Sequence, residues 1–128
     1  MDNLNIGPTK YTPEIIFDAE TNLLEIKGET YPENTAEFYA PVFKWLGAYL
    51  GKLRDEAVTV NLEINYFNSS SSKVLMDMFD QFEAAATAGK DIALNWIYNR
   101  ENESAKEYGE EFQEDLEVLT LNLVEKIS

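Results

Sequence analysis

The chain has 128 residues, 45% of them apolar and 12% aromatic, enough for one domain with a substantial core. Lacking cysteine and histidine, it has no disulfide, no zinc–thiolate site, no thiolate nucleophile and no Ser–His pair. Its 24 acidic against 10 basic residues leave a net charge of -14, which repels nucleic acid and anionic membrane surfaces and attracts a basic protein surface.

Residues 1–13 place Gly7, Pro8 and Pro13 among polar residues and read as a loosely held arm. They lack the basic start and apolar run of a signal peptide, and no stretch of the sequence approaches a membrane span, so a cytoplasmic protein is expected. Ile15, Ile16 and Phe17, then Leu23, Leu24 and Ile26, predict two antiparallel strands over 14–18 and 23–28. Asp18-Ala19-Glu20-Thr21-Asn22 supplies the turn between them, and Gly28 ends the second. Asn34-Thr35-Ala36-Glu37 resembles a capping box, and the stripe Phe38, Val42, Trp45, Leu46, Tyr49, Leu50, Leu53 predicts a helix to about residue 52. Pro41 conflicts with that start. It kinks a helix begun at Asn34 and suits the first turn of one begun near Ala40; the early start with a kink is preferred.

Val58, Val60, Leu62, Ile64 and Tyr66 alternate with Thr59, Asn61, Glu63 and Asn65, a half-buried strand over 58–67. A run of four serines, Ser69 to Ser72, follows. Leu75, Met78, Phe79, Phe82 and Ala86 then predict a helix over about 72–88, stopped by Gly89. Residues 91–98 alternate as a further strand. Ser104-Ala105-Lys106-Glu107 reads as a capping box for a short acidic helix facing inward through Tyr108, Phe112 and Leu116. Leu119, Leu121 and Leu123 alternate in a last strand. The order β-β-α-β-α-β-α-β predicts a single α/β domain over 1–128, a mixed sheet with helices packed on it. The strand after the serine helix is expected beside the strand before it, with the functional crevice beyond the carboxyl end of strand 58–67. The serines lie there.

Free N–H groups and the positive end of a helix dipole meet at such a junction, so a hydroxyl there is either a cap or a phosphate acceptor. Capping would fall to Ser71 or Ser72. Phosphorylation would bring about −1.5 to −2 charges beside Lys73 and reshape the surface that a partner must fit. One serine can cap while its neighbour is modified. Asn68-Ser69-Ser70 and Asn102-Glu103-Ser104 match the glycosylation pattern and are read as chance. The acidic cluster Glu101, Glu103, Glu107, Glu110, Glu111, Glu114, Asp115 lacks calcium-loop spacing and reads as a solvated helix face, so no metal or cofactor is expected. Trp45, Tyr49, Trp96 and Tyr98 are assigned to the core or its edge. Tyr66 and Phe67 end a strand where side chains can meet a partner.

Thr30-Tyr31-Pro32-Glu33-Asn34, Trp45-Leu46, Tyr49-Leu50, Tyr66-Phe67-Asn68-Ser69-Ser70-Ser71-Ser72-Lys73, Leu94-Asn95-Trp96-Ile97-Tyr98 and Gly109-Glu110-Glu111-Phe112 together resemble the SiaC family of bacterial regulatory phosphoproteins. The resemblance runs from the first hairpin to the last strand. It implies a domain similar to STAS domains, the fold of anti-sigma-factor antagonists. It implies a cognate Ser/Thr kinase, a PP2C-type phosphatase and, as regulated partner, a diguanylate cyclase that the unmodified form activates, favouring biofilm through cyclic-di-GMP. The family's acceptor threonine corresponds to Ser69. Ser72 stands where an apolar residue is usual, which leaves Ser70 as second acceptor, and the Asp and Gly that flank the acceptor in ordinary STAS domains are absent. Tyr66, Phe67, Asn68, Ser70, Ser71 and Lys73 are the expected partner-binding residues. The alternatives are an anti-sigma-factor antagonist acting on a kinase that sequesters a sigma factor, and an enzyme using the serines with Lys73 as base. The enzyme needs a neutral lysine in a dry pocket, which an acidic chain opposes.

Overall fold

The hairpin expected around residues 18–22 forms. In the computed structural model, which describes residues 1–127, β2 (Glu14–Asp18) pairs antiparallel with β3 (Leu23–Thr30). Asp18 closes the turn by accepting from the N–H groups of Glu20 (2.8 Å) and Thr21 (3.2 Å). Asn22 takes the left-handed φ of 58° that a short polar side chain tolerates. The start of the chain is more ordered than expected: β1 (Leu4–Ile6) adds to β2 antiparallel, and the Trp45 indole donates to the Asp2 carbonyl at 2.7 Å. Three residues are too few for periodicity to announce a strand.

Strand–helix units follow: α1 (Thr35–Lys52), β4 (Ala57–Phe67), α2 (Ser69–Thr87), β5 (Asp91–Asn99), α3 (Glu103–Glu114) and β6 (Leu121–Lys126). The six-stranded sheet runs β1-β2-β3-β4-β5-β6, parallel from β3 onward, so the mixed sheet and the adjacency of β4 and β5 are as expected. Each helix begins on an asparagine: the Oδ1 atoms of Asn34, Asn68 and Asn102 accept from the N–H groups of Glu37 (3.0 Å), Ser71 (2.9 Å) and Ala105 (3.1 Å). The cap of α3 is therefore Asn102 and not Ser104. Asn102 has a second task, donating through Nδ2 to the Asn65 carbonyl at 3.2 Å, which a serine at 104 could not do. Pro41 lies inside α1, as the early start requires. The hydrogen bond it removes belongs to the carbonyl of exposed Glu37, where water can replace it.

Every crossover from β3 to β6 steps the same way along the sheet, and right-handed crossovers of that kind lay all their helices on one face. The inward residues Val58, Val60, Leu62 and Ile64 of β4, Leu94 and Trp96 of β5, and Leu24 and Ile26 of β3 are buried under the helices, with Leu46, Leu75, Met78 and Phe82 above them. The opposite face is mostly polar, with Ile16 and Val124 also exposed on it. Across it runs a row of amides: Asn122 donates to Asn95 (3.1 Å), Asn95 to Asn61 (2.9 Å) and Asn61 to Glu25 (3.4 Å), residues directly opposed in the strand register.

Glu83 of α2 pins the loop before β6, accepting from the N–H groups of Glu117 (2.7 Å), Val118 (3.0 Å) and Leu119 (2.7 Å). Those bonds hold its carboxyl below the ordinary glutamate range, against the opposing effect of burial. Glu83→Gln keeps an acceptor and loses the charge, a cost of about 1 kcal/mol at neutral pH. A carboxyl lowered by folding stabilises above its ordinary range and loses that contribution as pH falls through the folded value. The gap between native and variant urea midpoints should therefore close in acid; a gap that is constant with pH would contradict the latch.

Candidate regulatory site at the head of α2

Strand β4 does not keep its alternation to the end. Gly28 opposes Ile64 but Glu29 opposes Tyr66, so Asn65 is one residue too many, and Gly28 takes φ 126° beside it, a conformation that favours glycine. This corrects the sequence reading of residue 66. The bulge turns Tyr66, 53% exposed, to the open face and sends Phe67 inward. There Phe67 packs against Tyr108 (4.7 Å between ring centroids), Phe112 (6.0 Å) and Trp96 (6.3 Å). Phe67 is half-buried and packs against the core, whereas the sequence alone places it with Tyr66 at a partner surface. Tyr66 instead continues an exposed aromatic ladder, edge to face with Tyr31 at 5.5 Å, which meets Tyr11 at 5.3 Å.

Asn68 ends the strand and caps α2, so neither Ser71 nor Ser72 is the cap. Its carbonyl accepts from Ser72 N at 2.9 Å and its own N–H donates to the Thr30 carbonyl at 3.3 Å. Ser69 and Ser70 thus become the first helical residues, both exposed, at the end where N–H groups lack helical partners. Ser71 is different. It is fully buried, and its hydroxyl bonds to Thr30 Oγ1 at 3.0 Å, which in turn bonds to the Tyr39 hydroxyl at 2.6 Å. The expectation that Ser71 meets a partner is corrected accordingly: it ties the first turn of α2 to β3 and α1. Burial pushes the Tyr39 phenol up to about 12, against the opposing hydrogen bond from Thr30, so the trio stays neutral.

The sequence reading assigns Thr30 and Tyr39 no structural task, although Thr30 shares the inward parity of Leu24 and Ile26. A hydroxyl on a buried strand face needs a partner, and that was the available signal.

Lys73 is 80% exposed and pairs with Asp77 at 3.5 Å. An amine so placed lacks the dry pocket that a catalytic lysine needs. Ser69, Lys73 and Asp77 stand at i, i+4 and i+8, one above the other on α2. Ser70 stands beside that stripe, towards α1. It lines a groove of about 430 Å³ between α1 and α2, floored by Ala36, Ala40, Phe43 and Val74, with Lys73 and Asp77 also at its edge. Among the described residues no group of three or more carboxylates is placed to hold a metal ion, and no helix is long and apolar enough to cross a membrane.

Residues 6–126 match the family of the SiaC family regulatory phosphoprotein. The chain belongs to the SiaC family. An uncharacterized protein of Pseudomonas aeruginosa (strain UCBPP-PA14) is 36% identical over 115 residues, covering 90% of each chain. Among solved structures, a chain in the crystal structure of diguanylate cyclase SiaD in complex with its activator SiaC from Pseudomonas aeruginosa aligns with TM-score 0.90 at 33% identity. That alignment covers 96% of this chain and 99% of the other. Apo-SiaC from the same organism aligns with TM-score 0.87 at 30% identity, over 97% of this chain and 99% of that one. The family is the one the sequence resemblance implied, and the α/β architecture, a six-stranded mixed sheet with three helices, is the one read from the element order.

Proposed function

We propose that this protein is a non-enzymatic partner switch in which phosphorylation of Ser69 decides whether it binds a diguanylate cyclase. The observation that carries the reading is an exposed hydroxyl on the first residue of α2, held outward by the Asn68 cap, in a chain of the SiaC family. The complex of the similar SiaC with diguanylate cyclase SiaD supports a cyclase as the partner. A cognate Ser/Thr kinase adds the phosphate and a PP2C-type phosphatase removes it.

The local physics favours a large response. A phosphate on Ser69 sits at the positive end of the helix dipole, within reach of free N–H groups and one turn before Lys73. It draws Lys73 from Asp77, because a dianion outcompetes a single exposed carboxylate whose ion pair is worth only about 0.5 kcal/mol. The modified head of the helix then presents a fixed double charge, with Asp77 no longer neutralised at the edge of the apolar groove. A docking surface that is apolar in the unmodified state becomes costly to desolvate. Ser70 lines that groove directly and is the second candidate acceptor.

Incubation with the cognate kinase and ATP, followed by peptide mass spectrometry, should find phosphate on Ser69. Phosphate confined to other residues would overturn the assignment.

A further inference from the structure

The switch leaves one conspicuous part of the molecule without a task. Where α2 and α3 diverge, a second groove of about 280 Å³ opens between Met76, Phe79, Phe112 and Leu116, with Asp80 and Asp115 lining it. Phe79 and Phe112 form a nearly buried floor, their rings 5.0 Å apart, while Met76 stands 45% exposed at the lip. Among the described residues the ion pairs are Lys73–Asp77 and Lys126–Glu63, so neither Asp80 nor Asp115 has a cation beside it. Helix α3 adds Glu103, Glu107, Glu110, Glu111 and Glu114 against a single lysine, Lys106.

We propose that this groove docks a basic amphipathic helix of a protein partner. Its apolar side chains enter between Met76 and Leu116, and flanking Lys or Arg residues meet Asp80 and Asp115. A solvated helix face accounts for the outward glutamates of α3. It does not account for an apolar groove over two packed phenyl rings with an adaptable methionine exposed at its lip, the combination used by grooves that accept helices. The volume falls just below the usual range of about 300–1,000 Å³ for small-molecule pockets, which fits one or two inserted side chains better than an organic ligand. Charge selects among helices. In a chain of net charge -14, unpaired carboxylates beside an apolar floor favour lysine and arginine and penalise an acidic segment. A second copy of the chain would set carboxylates against carboxylates.

The proposal does not depend on the Ser69 switch. Met76 and Asp80 follow Ser69 at i+7 and i+11 on one stripe of α2, so the groove begins about 10 Å along the axis from that hydroxyl. A negative charge at Ser69 adds to the field felt by a cation there and does not obstruct the floor.

Titration calorimetry with a synthetic leucine–lysine amphipathic helix tests this, with a leucine–glutamate helix as comparison. The lysine peptide should bind and the glutamate peptide should not. Met76→Gln, which changes no charge, should weaken binding at least about fivefold, and Asp80→Asn with Asp115→Asn at least about tenfold. Glu20→Gln with Glu33→Gln, the same charge change elsewhere, should shift it less than about twofold, and Ser69→Asp should leave it equal or tighter. Equal losses in the two double variants, or no loss in Met76→Gln, would reduce the effect to bulk attraction and overturn the proposal. Loss of binding in Ser69→Asp would place the peptide over the head of α2 and also overturn it.

Discussion

Gly109→Ala should destabilise the protein by about 2–3 kcal/mol, although alanine is the better helix former by about 1 kcal/mol. Gly109 is buried on the face of α3 that lies on the sheet. A Cβ there would stand 2.6 Å from Trp96 Cδ1, 2.9 Å from Trp96 Nε1 and 2.8 Å from Leu123 Cδ2. The leucine can rotate away. The indole cannot: it is fully buried, donates from Nε1 to the Ala105 carbonyl at 2.8 Å, and packs against Phe67 and Phe112. The added methyl must therefore lift α3 or break the Trp96 hydrogen bond. Gly51→Ala is the control, since its Cβ would meet nothing within 4 Å and it lies in α1. Urea midpoints should move in opposite directions for the two variants. A Gly109→Ala protein as stable as the native chain would mean that the contact between α3 and the sheet is softer than these distances imply.

Thr30→Val should cost about 2–3 kcal/mol despite near-identical shape. Thr30 is fully buried at the centre of the hydroxyl trio, with Tyr39 and Ser71 also buried, and no other hydrogen bond is described for either partner hydroxyl. Valine removes one group and strands two. Adding Tyr39→Phe and Ser71→Ala removes the stranded groups as well, and the triple variant should recover much of the loss by urea denaturation. The trio anchors the first turn of α2, so hydrogen exchange at the Ser71 and Ser72 amides should quicken in Thr30→Val alone. A single variant as stable as the native protein would show that the two hydroxyls find other partners.

Much of this molecule could be read from its residues because local chemistry and tertiary packing agree. The Asp18–Asn22 turn, the Asn34 cap, the alternation of β4 and β5 and the helical stripe of α2 each carry their own signal. The errors fall where a distant contact decides. β1 is recognisable only through its pairing with β2. Asn102 prevails over Ser104 as a cap because its side chain also reaches Asn65 across 37 positions of sequence. The bulge at Asn65 exchanges the outlooks of Tyr66 and Phe67, and nothing within β4 announces it. Ser71 looks like its neighbours in the sequence and differs from them only because Thr30, 41 positions earlier, waits beneath it.

The switch itself is tested most directly by measuring the affinity of the cognate diguanylate cyclase for the native chain, Ser69→Ala and Ser69→Asp in parallel. Ser69→Ala should bind like the unmodified protein, and Ser69→Asp at least about tenfold more weakly, a difference of about 1.4 kcal/mol. Equal dissociation constants for the alanine and aspartate forms would contradict the role assigned to this hydroxyl.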